Sequence, residues 1–338
     1  MNKYLPLIIG LEGVALNANE SNFLSEFKPW GVILFQRNCI NLKDTLILID
    51  NIKSKTHKDI QILIDQEGGR VSRLNYKEFP KTLSAKSFGN IFIKDKKLAL
   101  KAIALNTNLI AGSLKEMGIN VNTVPVLDIP SKDESGVIGD RAYSNDKATI
   151  IQMGEIVLNE NKLNGIGSVI KHIPGHGKAT VDSHFDLPII TDEKTLLENN
   201  DFIPFERLNH APLAMTAHAV YEKIDKKNIA TLSKIMIEDI IKNKIGFKGT
   251  LMTDDISMKA LSGDIATNSL LALQAGCDLV LHCNGKFNEI CQIAQKISSL
   301  NSVSIDPILL DTFKAKKTLN LKEIASELEH IISKANWY

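Results

Sequence analysis

Short apolar runs rich in β-branched residues alternate eight times with longer segments of helical spacing, and this rhythm restricts the chain more than any other feature. The runs are LPLIIGLEG (residues 5–13), GVILFQ (31–36), IQILIDQ (60–66), INVNTVPVLDI (119–129), GSVIKH (167–172), PLAMTAH (212–218), GTLMTDD (249–255) and DLVLHC (278–283). Between them lie SNFLSEF, LKDTLILIDNIK, a long stretch over 94–117, ATIIQMGEIVLNENK, EKTLLENNDFIPFERL, LSKIMIEDIIKNK and IATNSLLALQAG. These carry apolar residues at helical intervals, and a last such region runs over 286–300. Near-continuous apolar strands suit a parallel sheet covered on both faces. Eight strand–helix repeats therefore predict an α/β fold, a (β/α)8 barrel. No linker or shift of composition marks a second domain. Residues 1–300 are expected to form the barrel, and residues 301–338 to add two helices packed outside it in the same domain. The alternative is a doubly wound open sheet, which would spread its polar strand ends along a crevice.

Polar residues fall where a barrel does its work. Asp65, Asp128, Lys171 with His172, His218, Asp254 with Asp255, and His282 all end apolar runs. Working sites of such barrels lie at the C-terminal rim, so these ionisable side chains are expected to converge there. Successive strand residues face opposite ways, so only one of Asp254 and Asp255 should enter the pocket. The other suits the N-cap of a following helix. The segment 171–188, KHIPGHGKATVDSHFDLP, places three histidines and two aspartates in a loop with two glycines and two prolines. Asp182 stands two residues before His184, where it can accept the second ring proton and raise the basicity of the imidazole. His176, bracketed by Gly175 and Gly177, reads as a loop imidazole bonded to backbone.

Composition removes other classes. A net charge of +1 and no long basic run argue against nucleic acid. No apolar stretch reaches the roughly 18 residues of a membrane span. The start lacks the features of a signal peptide. Cys39, Cys277, Cys283 and Cys291 show no CxxC spacing and read as thiols of a reducing compartment, the cytoplasm by expectation. Only five of the 40 basic residues are arginine, Arg37, Arg70, Arg73, Arg141 and Arg207, which makes each a candidate for bidentate binding, with a surface salt bridge as the plainer alternative. Zinc hydrolysis by an amidohydrolase-type barrel could gather His172, His218 and His282. It would normally show a His-x-His pair in the first strand, where this chain has IIGLEG.

IDQEGGRVSRL, GDRAYS, KHIPGHG with DSH four residues on, and MTDDISM, in this order and spacing, resemble glycoside hydrolase family 3. Within it they are most similar to the bacterial β-N-acetylglucosaminidases of peptidoglycan recycling. The resemblance spans about residues 7–283 and implies a single-domain enzyme whose acid/base lies on the loop after strand five. It implies Asp254 as nucleophile and His184, paired with Asp182, as general acid/base. It implies Asp65 at the outer hydroxyls of the sugar, with Arg73, Arg141, Lys171 and His172 completing the pocket. Ile173 and Ala142-Tyr143 depart from the usual pattern at positions that carry no chemistry. The implied substrate is a terminal β-1,4-linked N-acetylglucosamine of muropeptide fragments such as GlcNAc-anhydroMurNAc and its peptides. The resemblance calls for no metal, no cofactor and no obligate protein partner. Phosphate can replace water as acceptor in this family, so hydrolase and phosphorylase both stay open. A sugar-binding barrel without activity is disfavoured, because every candidate catalytic position is filled.

Overall fold

Eight parallel strands follow one another around a closed barrel. They are β1 (Leu5–Gly10), β2 (Pro29–Leu34), β3 (Gln61–Ile64), β4 (Val121–Asn122), β5 (Gly167–Ile173), β6 (Leu213–Thr216), β7 (Thr250–Asp255) and β8 (Leu279–His282). The last closes on the first with Leu7 opposite Val280 and Ile8 opposite Leu281. This is the (β/α)8 barrel that the alternation predicts. The structure, a computed structural model, describes residues 3–77, 79–131, 138–179, 187–300, 302–314 and 317–334.

Period-two geometry sorts each strand into an inward and an outward set. Ile8, Ile33, Leu63, Val121, Val169, Leu213, Met252, Leu279 and Leu281 fill the barrel. Their neighbours Ile9, Val32, Ile62, Ile64, Ile170, Ala214, Leu251 and Val280 meet the surrounding helices. Both sets are apolar, which is why the strands read as unbroken hydrophobic runs. The run over 119–129 makes regular strand pairs only at Val121–Asn122, after which Val126 forms an isolated bridge to Lys171. Pro125 has no N–H to give to a ladder.

The helix expected over 94–117 is found as Lys96–Met117, and a further helix, Ala85–Lys94, precedes it. Asp95 between them is extended, and its carboxylate caps the second by accepting from the Leu98 N–H at 2.9 Å. The segment over 193–208 forms Lys194–Asn199 and Ile203–Arg207. A small sheet of Ile189–Ile190, Val220–Tyr221 and Asp225–Ile229, absent from the sequence-based expectation, is formed by segments that follow β5 and β6 in the chain.

The tail forms two helices packed on the barrel. The second, Leu321–Lys334, packs Leu328 and Ile331 into the cluster that contains Ala99, Ala102 and Ile103. The first, Pro307–Thr312, sends Leu309 into the barrel interior, where it joins Ile305, Trp30 and Val169. Gly167 makes room for it, since a Cβ there would stand 2.5 Å from Leu309 Cδ1. The physical reason is that strand side chains of this size leave an apolar floor that something must fill. Among the described residues no helix is long and apolar enough to cross a membrane.

Candidate active site

The loop after β3 turns on Gly68 and Gly69, whose φ of 98° and 58° are left-handed values that favour glycine. This turn brings Asp65, Glu67 and Arg73 to one wall of the rim. Asp65 is bonded through both oxygens. Oδ1 accepts from the Thr123 hydroxyl and from Lys171 Nζ at 3.3 Å, and Oδ2 accepts from Arg73 Nη2 at 3.0 Å. Burial pushes its pKa up, but Lys171 and Arg73 outweigh that and hold it well below the usual carboxylate range.

Glu67 is the site residue that sequence reasoning missed. It accepts two parallel bonds from Arg141, Nε at 2.9 Å and Nη2 at 2.8 Å, and pairs with Lys171 Nζ at 2.7 Å. Burial works against its ionisation, and Arg141 and Lys171 more than offset it, bringing its pKa to about 2. Its spacing from Asp65 was the available signal. Residues two apart on an extended segment share a side.

Strand alternation alone would turn Lys171 and His172 to opposite sides. Both line the cavity, because the pairing of β5 with β6 shifts register between Lys171 and Ile173. Lys171 also bonds Thr123 at 2.9 Å. Asp128 lies fully buried behind His172 and accepts from its backbone N–H, from its Nδ1 at 2.6 Å and from the His176 N–H at 2.7 Å. Burial raises the Asp128 pKa and His172 and His176 more than offset that, so it stays ionised and makes Nδ1 the donor. His176 departs from expectation: its backbone, not its ring, is bonded, and both ring nitrogens are buried without a partner among the described residues. Its ring stands 5.8 Å from that of His172, and burial above all lowers its pKa to about 4.

On the opposite wall β7 presents Asp254 and Asp255. Both border the cavity, contrary to simple alternation, because the pairing of β7 with β8 shifts between Met252 and Asp255. Asp255 is committed to structure, but to a turn and not to a helix cap. It accepts from Ser257 N–H at 3.0 Å, Ser257 Oγ at 2.8 Å and Cys283 N–H at 3.0 Å. Asp254 is nearly free by comparison. Among the described residues its carboxylate accepts one hydrogen bond, from the Asp255 N–H at 2.8 Å. Burial raises its pKa, and the neighbouring His218, His172 and Lys171 lower it to a net depressed value.

His218 and His282 do not enter the cavity as the rim argument expects. His218 is buried behind β7, with Nε2 donating to the Asp255 carbonyl at 3.1 Å and Nδ1 2.7 Å from the Thr231 hydroxyl. His282 follows inward Leu281, so it faces outward, 3.0 Å from Glu289. Asp182 and His184 lie outside the described residues. The cavity left between the walls has about 900 Å³ of space open to solvent and is completed by Phe35, Met215, Met258 and Leu281. Among the described residues no three His, Cys, Asp or Glu side chains are grouped to hold a metal.

The sequence profile of the Glycosyl hydrolase family 3 N terminal domain matches residues 8–308. The beta-hexosaminidase of Alkalilimnicola ehrlichii is 34% identical over 284 residues, 82% of this chain and 80% of that protein. The beta-hexosaminidase of Nitrosomonas eutropha is 31% identical over 333 residues, 97% of this chain and 94% of that one. The crystal structure of NagZ from Neisseria gonorrhoeae in complex with N-trifluoroacetyl-D-glucosamine superposes with a TM-score of 0.83 at 26% identity. That superposition covers 97% of this chain and 98% of the other.

Proposed function

The chain belongs to glycoside hydrolase family 3 and is a glycoside hydrolase, and from that premise we propose a retaining exo-β-N-acetylglucosaminidase acting on muropeptide fragments in the cytoplasm. One observation carries the proposal. At the end of β7, beside an open cavity, Asp254 keeps an ionised carboxylate with a single hydrogen bond among the described residues. A nucleophile needs lone pairs that the protein has not already used. The hexosaminidase names of the relatives, and the N-acylated glucosamine bound to the Neisseria protein, support the sugar class.

In this mechanism the sugar sits with its outer hydroxyls toward Asp65, Arg73, Arg141, Lys171 and His172. Asp254 attacks C1 through an oxocarbenium-like transition state and forms a glycosyl ester. His184, oriented by Asp182, gives its proton to the departing oxygen. It then takes one from water, which attacks C1, and Asp254 is released. An imidazole with an ordinary pKa of about 6.5 can do both near neutrality.

The test is to trap the ester. Incubation with a fluorinated glycosyl donor that slows the second step, followed by peptide mapping, should place the sugar on Asp254. Attachment to another residue, or a product of inverted anomeric configuration, would reject the assignment. His184→Ala should slow substrates with poor leaving groups by about 10²- to 10⁴-fold and activated aryl glycosides far less. Equal losses on both would reject the acid role.

A further inference from the structure

Glu67 is a buried carboxylate at the edge of the cavity with both oxygens held by the protein's own cations. Its side chain is 7% exposed, against 14% for Arg141 and 3% for Lys171. Both oxygens bind Arg141 in the fork geometry that a guanidinium fixes best, and Oε1 also holds Lys171. The Lys171 ammonium has three N–H bonds and three acceptors within reach, Glu67 at 2.7 Å, Thr123 at 2.9 Å and Asp65 at 3.3 Å. Arg141 spends two of its five N–H groups on Glu67. The network joins the β3 loop, the residue after β4, the turn Gly139–Arg141 and β5.

We propose that Glu67 is a positioning residue that sets the hydroxyl specificity of the pocket: it binds no sugar itself but locks Arg141 and, through Lys171, Asp65. The proposal rests on the glycosidase reading above. With Glu67 in place, the remaining N–H groups of Arg141 and the remaining lone pair of Asp65 point where the fold puts them. A hydroxyl in the matching position is bound, and its absence leaves buried polar groups unpaired. Sites built to bond a hydroxyl discriminate strongly for that reason. Neutral glutamine keeps the shape of Glu67 but turns an amide donor toward one of the two cations, so one of them is released.

The experiment compares an aryl β-N-acetylglucosaminide with its 3-, 4- and 6-deoxy analogues, using the whole chain. Glu67→Gln should lower kcat/KM on the parent sugar by about 10- to 100-fold, the range expected for losing a hydrogen bond to a charged group. On at least one deoxy analogue the same substitution should cost little, because the contact that Glu67 positions is already missing. Glu67→Asp keeps the buried cations paired and guards against misfolding, which a melting curve would reveal. Its shorter reach should give a smaller loss with the same pattern. A loss of equal factor on the parent and all three analogues would overturn the role of Glu67. A wild-type chain that hydrolyses none of these sugars would instead overturn the functional reading on which the role rests.

Discussion

The two walls of the cavity hold their carboxylates in opposite ways. On the β3–β5 wall, Asp65 and Glu67 are surrounded by Thr123, Arg73, Arg141 and Lys171, and each oxygen accepts at least one bond from the protein. On the β7 wall, Asp254 has one bond among the described residues, from the backbone of its own neighbour. Both walls keep their acids ionised against the cost of burial, but by different means. Direct ion pairs do it on the first, and charged or polar groups at a distance do it on the second. A carboxylate with both oxygens held by the protein has a fixed position and little reactivity, and suits recognition. One that is ionised yet unengaged can attack. The proposed division of labour between binding and bond-making rests on this difference in hydrogen bonding.

Substitution at each wall should break the comparison in a characteristic order. Asp254→Ala should be the most damaging, with turnover of an aryl β-N-acetylglucosaminide falling by about 10⁴-fold or more and the melting temperature barely moving. Retained turnover would mean that the unengaged carboxylate is not the reactive one. Asp65→Asn should act differently, costing about 10²- to 10³-fold in kcat/KM and lowering stability too, because Lys171 and Arg73 lose a buried counter-charge. If it left stability untouched, the ion-paired wall would not be the rigid element described here.

A smaller effect concerns pH. The His176 ring charges only below about 4 in the folded chain, whereas an unfolded chain takes up the proton near the ordinary value of about 6.5. Its contribution is thus complete above about pH 6.5 and is lost as pH falls toward 4, on the order of 3 kcal/mol across that window. Glu67 adds a similar loss lower down, between its unfolded value near 4.3 and about 2. His176→Phe should flatten the stability curve between pH 6.5 and 4 in denaturant melts. An unchanged slope would place the acid sensitivity elsewhere.

The barrel was legible because its signal is repetitive: eight apolar runs rich in β-branched residues, with helical spacing between them. The site was legible where a polar residue interrupts such a run, as at Asp65, Lys171 and Asp254. It was illegible where register matters. Alternation assigns one side each to Lys171 and His172, and to Asp254 and Asp255. The shifts of β5 against β6 and of β7 against β8 cancel that rule, and pairing irregularities leave no mark in a single sequence. His282 shows the reverse: alternation applies there and removes a histidine that strand-end counting had included. Glu67 was overlooked because it sits in a turn between glycines and a glutamine, where a carboxylate reads as surface. Its importance comes from Arg141 and Lys171, distant in the chain and brought beside it only by folding.

The position of Leu309 bears on how the molecule is made. A growing chain on the ribosome can assemble all eight staves of the barrel before its bottom is stoppered, since Ile305 and Leu309 are translated after β8. Until those residues emerge, the apolar underside around Trp30 and Val169 stays open to unwanted partners, which makes the interval between the emergence of β8 and that of Leu309 the one when a chaperone would have most to shield.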